Sequence, residues 1–115
     1  MSVYNSITET IGDTPIIRLN RMVPPGAHIY VKSERCNPGG SIKDRPALSM
    51  IDDAVARGLL KEGGTIVEPT SGNMGISLAM IAAARGYHAV IVMPDSMTRE
   101  RISLMKAYGA EIVLS

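Results

Sequence analysis

From residue 65 onward the chain alternates short apolar runs with helical periodicity, and this alternation limits the fold more than any other feature. Thr65-Ile66-Val67-Glu68 reads as a strand, roughly Asn73 to Arg85 as a helix, Ala89-Val90-Ile91-Val92-Met93 as a strand. Thr98 opens another helix, with Ile102, Met105 and Tyr108 on one face and Gly109 closing it. Glu111-Ile112-Val113-Leu114 is a further strand. Strands separated by helices return parallel to one another, since a parallel connection needs a crossover. The Ala89–Met93 run is apolar at every position, the pattern of a strand covered on both faces. The helix before it is apolar on nearly every side and belongs inside. The expected fold class is α/β, a parallel sheet with helices on both faces.

Upstream, Ile16-Ile17-Arg18-Leu19 follows the Gly12-Asp13-Thr14-Pro15 turn as a short strand. Pro24-Pro25-Gly26 breaks the chain, and His28-Ile29-Tyr30-Val31-Lys32 alternates like a second strand. A helix is expected from Ser41 to about Arg57, with Ala47, Met50, Ile51, Ala54 and Val55 as its apolar stripe. Ser41 and Asp44 have capping-box-like spacing at its start. The chain has 115 residues, 45% hydrophobic and 20% charged, which suits one globular domain. Trp and Phe are absent, so aliphatic and Met side chains must fill the core. A net charge of +1 and only four Tyr argue against a nucleic-acid partner. The single cysteine, Cys36, excludes an intrachain disulfide and fits a reducing, cytoplasmic setting. No basic-then-apolar leader opens the chain, and its longest apolar stretch, Leu78 to Ala84, is too short to cross a bilayer, so no membrane partner is expected. The last strand stops one residue before the end. A βαβ protein normally continues there, so residues 1–115 are expected to form an incomplete domain.

Two glycine turns carry the chemistry. Asn37-Pro38-Gly39-Gly40-Ser41-Ile42-Lys43-Asp44-Arg45 places one lysine at the mouth of a helix. An amine there can form a Schiff base with a carbonyl, and the positive field of a helix N-terminus favours loss of its proton. The plain alternative is a solvated surface lysine. Pro69-Thr70-Ser71-Gly72-Asn73-Met74-Gly75 opens the next helix with hydroxyls, an amide and backbone N–H groups suited to a carboxylate. The plain alternative is an ordinary cap, with Ser71 bonding the Asn73 or Met74 N–H.

These two motifs, in this order, resemble those of the cysteine synthase and cystathionine β-synthase family, fold-type II enzymes that use pyridoxal phosphate. Ile11-Gly12-Asp13-Thr14-Pro15 and the stretch from Met93-Pro94 to Ala107-Tyr108-Gly109-Ala110-Glu111 extend the likeness over essentially the whole chain. The resemblance implies that Lys43 bonds the cofactor and removes the Cα proton. It implies that Asn73 bonds the cofactor's ring hydroxyl, and that Thr70, Ser71, Gly72 and Asn73 grip the amino-acid carboxylate. The reaction implied is β-replacement of O-acetylserine by sulfide to give cysteine, in an enzyme that is usually a homodimer. Alternatives are cystathionine β-synthase or cyanoalanine synthase activity or, in another class, a non-catalytic truncated chain acting by association.

Two departures stand out. Met74 replaces a Thr usual in the family loop, which removes one hydroxyl and bears on substrate choice. Family enzymes are roughly 300 residues, about two domains by usual size. The resemblance therefore makes this chain the N-terminal lysine-bearing part, with the C-terminal domain that grips the cofactor phosphate absent. The isolated chain is expected to be inactive. Among other candidates, Cys36 is read as a plain buried or turn cysteine, His28 and His88 as strand-start residues without metal spacing, and Asp52-Asp53 as a solvated face.

Overall fold

The structure, a computed structural model, describes residues 1–70 and 72–115. In chain order the strands and α-helices are β1 (Ile16–Arg18), β2 (Tyr30–Lys32), α1 (Asp44–Ala56), β3 (Thr65–Pro69), α2 (Asn73–Arg85), β4 (His88–Met93), α3 (Arg99–Ala107) and β5 (Glu111–Leu114). β3, β4 and β5 form a parallel sheet in that spatial order, with Ile66 opposite Ala89 and Ile91 opposite Ile112. The α/β reading is therefore correct. β1 and β2 form a separate antiparallel pair whose residues are all exposed.

α2 is the centre of the core. Eight successive residues, Gly75 to Ala82, are buried, as a helix apolar on every side requires. On the sheet side it meets Ala89, Ile91 and Met93, the alternate residues of β4; on its flanks it meets Ala47 and Ile51 of α1 and Met105 of α3. α2 and α3 touch each other and so share one face of the sheet. The opposite face carries Val67, Val90, Val92 and Val113. Val67 is 61% exposed and Val113 40%, and helix cover of that face is not seen among the described residues.

α1 begins at Asp44, three residues later than the capping pattern predicts. Ser41 Oγ accepts from the Lys43 N–H instead, and the first helical bond runs from the Ala47 N–H to the Lys43 carbonyl. Pro46 fits the first turn, where an amide has no intrahelical acceptor to lose. Two 3-10 turns, Ile7–Thr10 and Glu34–Cys36, have no periodic signal in the sequence.

α1 and α2 run side by side in the same direction. Asp44 is bonded to Ser77 and Asp52 to Arg85, two ties with the same separation of 33 residues along the chain. Two equal offsets are possible only for parallel helices in fixed register. The mouths of the two helices therefore lie together, and their positive dipole ends point the same way.

Candidate active site

The Asn37–Lys43 turn is held almost entirely by polar groups. The Gly40 N–H bonds the Asn37 carbonyl at 2.8 Å, closing the turn. Asn37 is buried; its Oδ1 accepts from the Gly12 N–H at 2.8 Å, and its Nδ2 donates to Glu34 Oε2 at 2.7 Å. Glu34 is the hub. Arg45 donates to it from Nε and Nη2 at 2.9 and 3.0 Å, and the Thr14 hydroxyl donates at 2.9 Å. The Arg45 hydrogen bond, helped by those from Thr14 and Asn37, outweighs burial and holds the Glu34 carboxyl down at about 2. Glu34 in turn raises the Arg45 guanidinium. The fork-on-fork geometry makes this the strong form of the pair.

Asp44 completes the turn from the other side. Its Oδ2 accepts from the Gly39 N–H and its Oδ1 from the Ser77 hydroxyl, both at 2.6 Å. Gly39 is required there by space: a Cβ would lie 2.1 Å from Asp44 Oδ1. Lys43, exposed, stands at the cap position immediately before α1.

The second turn leaves the carboxyl end of β3, the end of a parallel sheet where ligands bind. The Thr70 N–H bonds the Val92 carbonyl at 2.9 Å, and Thr70 Oγ1 accepts from the Gly72 N–H at 3.3 Å. Asn73 is the exposed first residue of α2, and Met74 packs against the core. Gly75 is buried in close quarters: a Cβ would stand 2.7 Å from Thr70 Cγ2, 3.0 Å from Met105 Sδ and 3.1 Å from Ile91 Cγ2. The expectation for Ser71 lies outside the described residues.

Lys43 and Asn73 are thus brought to one end of the molecule. Ser77 lies four residues beyond Asn73, one turn along the same face of α2, and it is bonded to the residue following Lys43. A carbonyl cofactor bearing anionic groups fits this setting: an accessible amine, an exposed amide, and two helix mouths whose fields favour negative charge. An open groove of about 550 Å3 beside Ile11, Arg45, Leu48 and Asp52 holds neither Lys43 nor Asn73. The candidate site is therefore taken at the paired helix mouths, where Lys43 and Asn73 lie, and not at that groove.

Sequence reading missed Ser77, the only polar residue between Ile76 and Ala84. A lone hydroxyl in an apolar helix signals a buried partner. It also missed the Glu34 hub, whose bonds join residues 11, 20 and 31 positions apart. The minor candidates fall outside the site. Cys36 is exposed at the end of a 3-10 turn, 3.3 Å from Ser33 Oγ. His28 Nδ1 lies 3.3 Å from Arg18, and His88 Nε2 3.3 Å from Glu111. The described residues hold no group of three side chains fit to bind a metal, and no described helix is long and apolar enough to cross a membrane. Asp52 and Asp53 are exposed, yet each is paired, with Arg85 and Arg57.

Parallel helices tied at both ends, with their mouths beside the carboxyl end of a parallel sheet, make an α/β protein with its ligand-binding end there. Residues 7–115 match the family model described as pyridoxal-phosphate dependent enzyme, and the chain belongs to that family. It is 58% identical to a probable cysteine synthase of Bacillus subtilis, with 100% of this chain and 37% of that protein aligned. It is 60% identical to an O-ureido-L-serine synthase of Streptomyces lavendulae, over 99% of this chain and 35% of the other. Among solved structures, an O-ureido-L-serine synthase superposes with a TM-score of 0.97 at 60% identity, covering 99% of this chain and 36% of that one. An O-acetylserine-dependent cystathionine β-synthase of Helicobacter pylori superposes at 0.90 with 33% identity, covering 100% of this chain and 39% of that one. The chain thus spans little more than a third of the length of the relatives it matches.

Proposed function

We propose that residues 1–115 are the N-terminal, lysine-bearing part of a cysteine synthase-like enzyme that exchanges the β-substituent of an O-acetylserine-type amino acid for sulfide. The observation that carries this reading is the Asp44–Ser77 tie, which sets Lys43 beside the Thr70–Gly75 loop at parallel helix mouths. Pyridoxal phosphate, when bound, supplies an electron sink for charge at Cα. Lys43 Nζ is the group to hold it and to move the Cα proton. Asn73 bonds its ring oxygen. Thr70, Ser71, Gly72 and Asn73 hold the amino-acid carboxylate against the N-terminus of α2. Met74 packs against the core and brings no hydroxyl to that carboxylate. The grip on the cofactor phosphate belongs to a further domain, and the assembled enzyme is a homodimer. An exposed, unpaired Cys36 suits the reducing cytoplasm.

The test is covalent trapping. In an enzyme of the relatives' length carrying these residues, borohydride reduction and digestion should put the pyridoxyl mass on Lys43, and Lys43→Ala should abolish turnover. The mass on Lys32 or Lys61 would overturn the assignment. The 115-residue chain by itself should lose the cofactor on desalting.

A further inference from the structure

We infer that Asp44 is a positioning residue for Lys43, acting through Gly39 and Ser77. The inference rests on the reading of Lys43 as the lysine that holds the cofactor. Asp44 and Ser77 are both 0% exposed. A carboxyl sealed from water is expensive unless its oxygens are bonded, and here both are, at 2.6 Å each. The two bonds reach different elements. One holds the glycine turn that leads into Lys43, and the other holds α2, which opens with Asn73.

The remaining bonds of the turn do not do this. Asn37 carbonyl to Gly40, and Ser41 Oγ to the Lys43 N–H, shape the loop but touch nothing on α2. The Glu34–Arg45–Asn37 network ties the turn to the Gly12–Thr14 segment rather than to α2. The other described side-chain tie between the helices, Asp52 to Arg85, lies at their far ends, about 12 Å along the axis. Asp44 therefore sets the register between the lysine and the loop that faces the substrate. Reaction geometry tolerates little error: a misplacement of about 1 Å can cost on the order of a hundredfold in rate.

The test compares variants of the chain as it stands. Amide exchange of Gly39 and Lys43 reads the tie without any cofactor. Ser77→Ala and Asp44→Ala should each speed exchange at Gly39 by about tenfold or more, while Ala79 to Ile81 keep their protection. Asp44→Asn preserves the shape and one acceptor, and its amide can donate to Ser77 Oγ, so it should restore most of the protection. Arg85→Ala breaks the distant tie between the same helices and should leave Gly39 and Lys43 unchanged. Unchanged exchange at Gly39 in Ser77→Ala, or equal acceleration throughout α2, overturns the inference. A second measurement is the ratio of Lys43 to Lys61 trapped by borohydride in excess pyridoxal phosphate. Ser77→Ala should lower it about fivefold and Arg85→Ala should not, the size expected of a lost placement rather than of a lost fold. If the unaltered chain shows no preference for Lys43, the cofactor reading fails, and the exchange measurement still decides the positioning role.

Discussion

The two glycine turns sit side by side and are held by different physics. The Asn37–Lys43 turn is a lattice of directed bonds: Asn37, Glu34, Arg45 and Asp44 each satisfy a partner, and few apolar atoms are involved. At the Thr70–Gly75 turn close packing adds to the bonds that Thr70 makes with Val92 and Gly72. Gly75 is wedged against a methyl of Thr70, the sulfur of Met105 and a methyl of Ile91. Directed bonds fix the lysine's backbone while leaving its side chain in the open. Close packing instead sets the Gly75 backbone, in the first turn of α2, into the core. One site is assembled from a turn sensitive to charge and a turn sensitive to volume.

The largest effect that tests this contrast is at Gly39. Gly39→Ala drives a Cβ into the Asp44 carboxyl and strips it of two donors, so a loss of about 3 kcal/mol is expected in denaturant unfolding. Its neighbour Gly40 has a φ of +87° and nothing within 4 Å of an added Cβ. Gly40→Ala should cost only the backbone strain, about 1 kcal/mol. Equal losses at both positions would remove Asp44 from the account.

Next is Gly75→Ala, an overpacking change expected to cost about 2 kcal/mol. Because volume is the cause, shortening the partner should help: Met105→Ala combined with Gly75→Ala should lose less than the two single changes summed. Strict additivity in that cycle would mean the second turn is not held by packing.

The smallest effect depends on pH and belongs to the first turn alone. The Glu34 carboxyl falls from its ordinary 4.5 to about 2 on folding. Its contribution is complete above pH 4.5 and is lost as the pH falls towards 2. Arg45 keeps 38% of its side chain in water and Glu34 19%, so solvent weakens the pair. Glu34→Gln should flatten that acid segment of the stability curve, measured as unfolding midpoint against pH, and leave exchange in the Thr70–Gly75 turn unaltered.

What the sequence made legible follows from periodicity. β3, α2, β4, α3 and β5 repeat their hydrophobic period long enough to be read, and both turns announce themselves by glycine and proline. The residues that organise the turns were not legible. Glu34 and Thr14 meet Arg45 across 11 and 31 positions, and no local rule links them. Asp44 was visible as a capping residue, but its bonds go backwards to Gly39 and across to Ser77 rather than along its own helix. That also explains why α1 starts late: the residues from Ser41 to Lys43 bond within the turn before helical bonding begins.

The equal offset of the two ties between α1 and α2 constrains how such a segment can change over generations. Inserting one residue between Asp44 and Asp52 would turn Asp52 by about 100° about the axis and carry it away from Arg85, while Asp44 stayed in place. The same holds between Ser77 and Arg85. At their exposed positions these stretches are free to vary in spelling but not in length, and a matched insertion in both should be tolerated better than either alone. The helix pair works as a vernier with a single coincident reading, and the lysine sits at its zero mark.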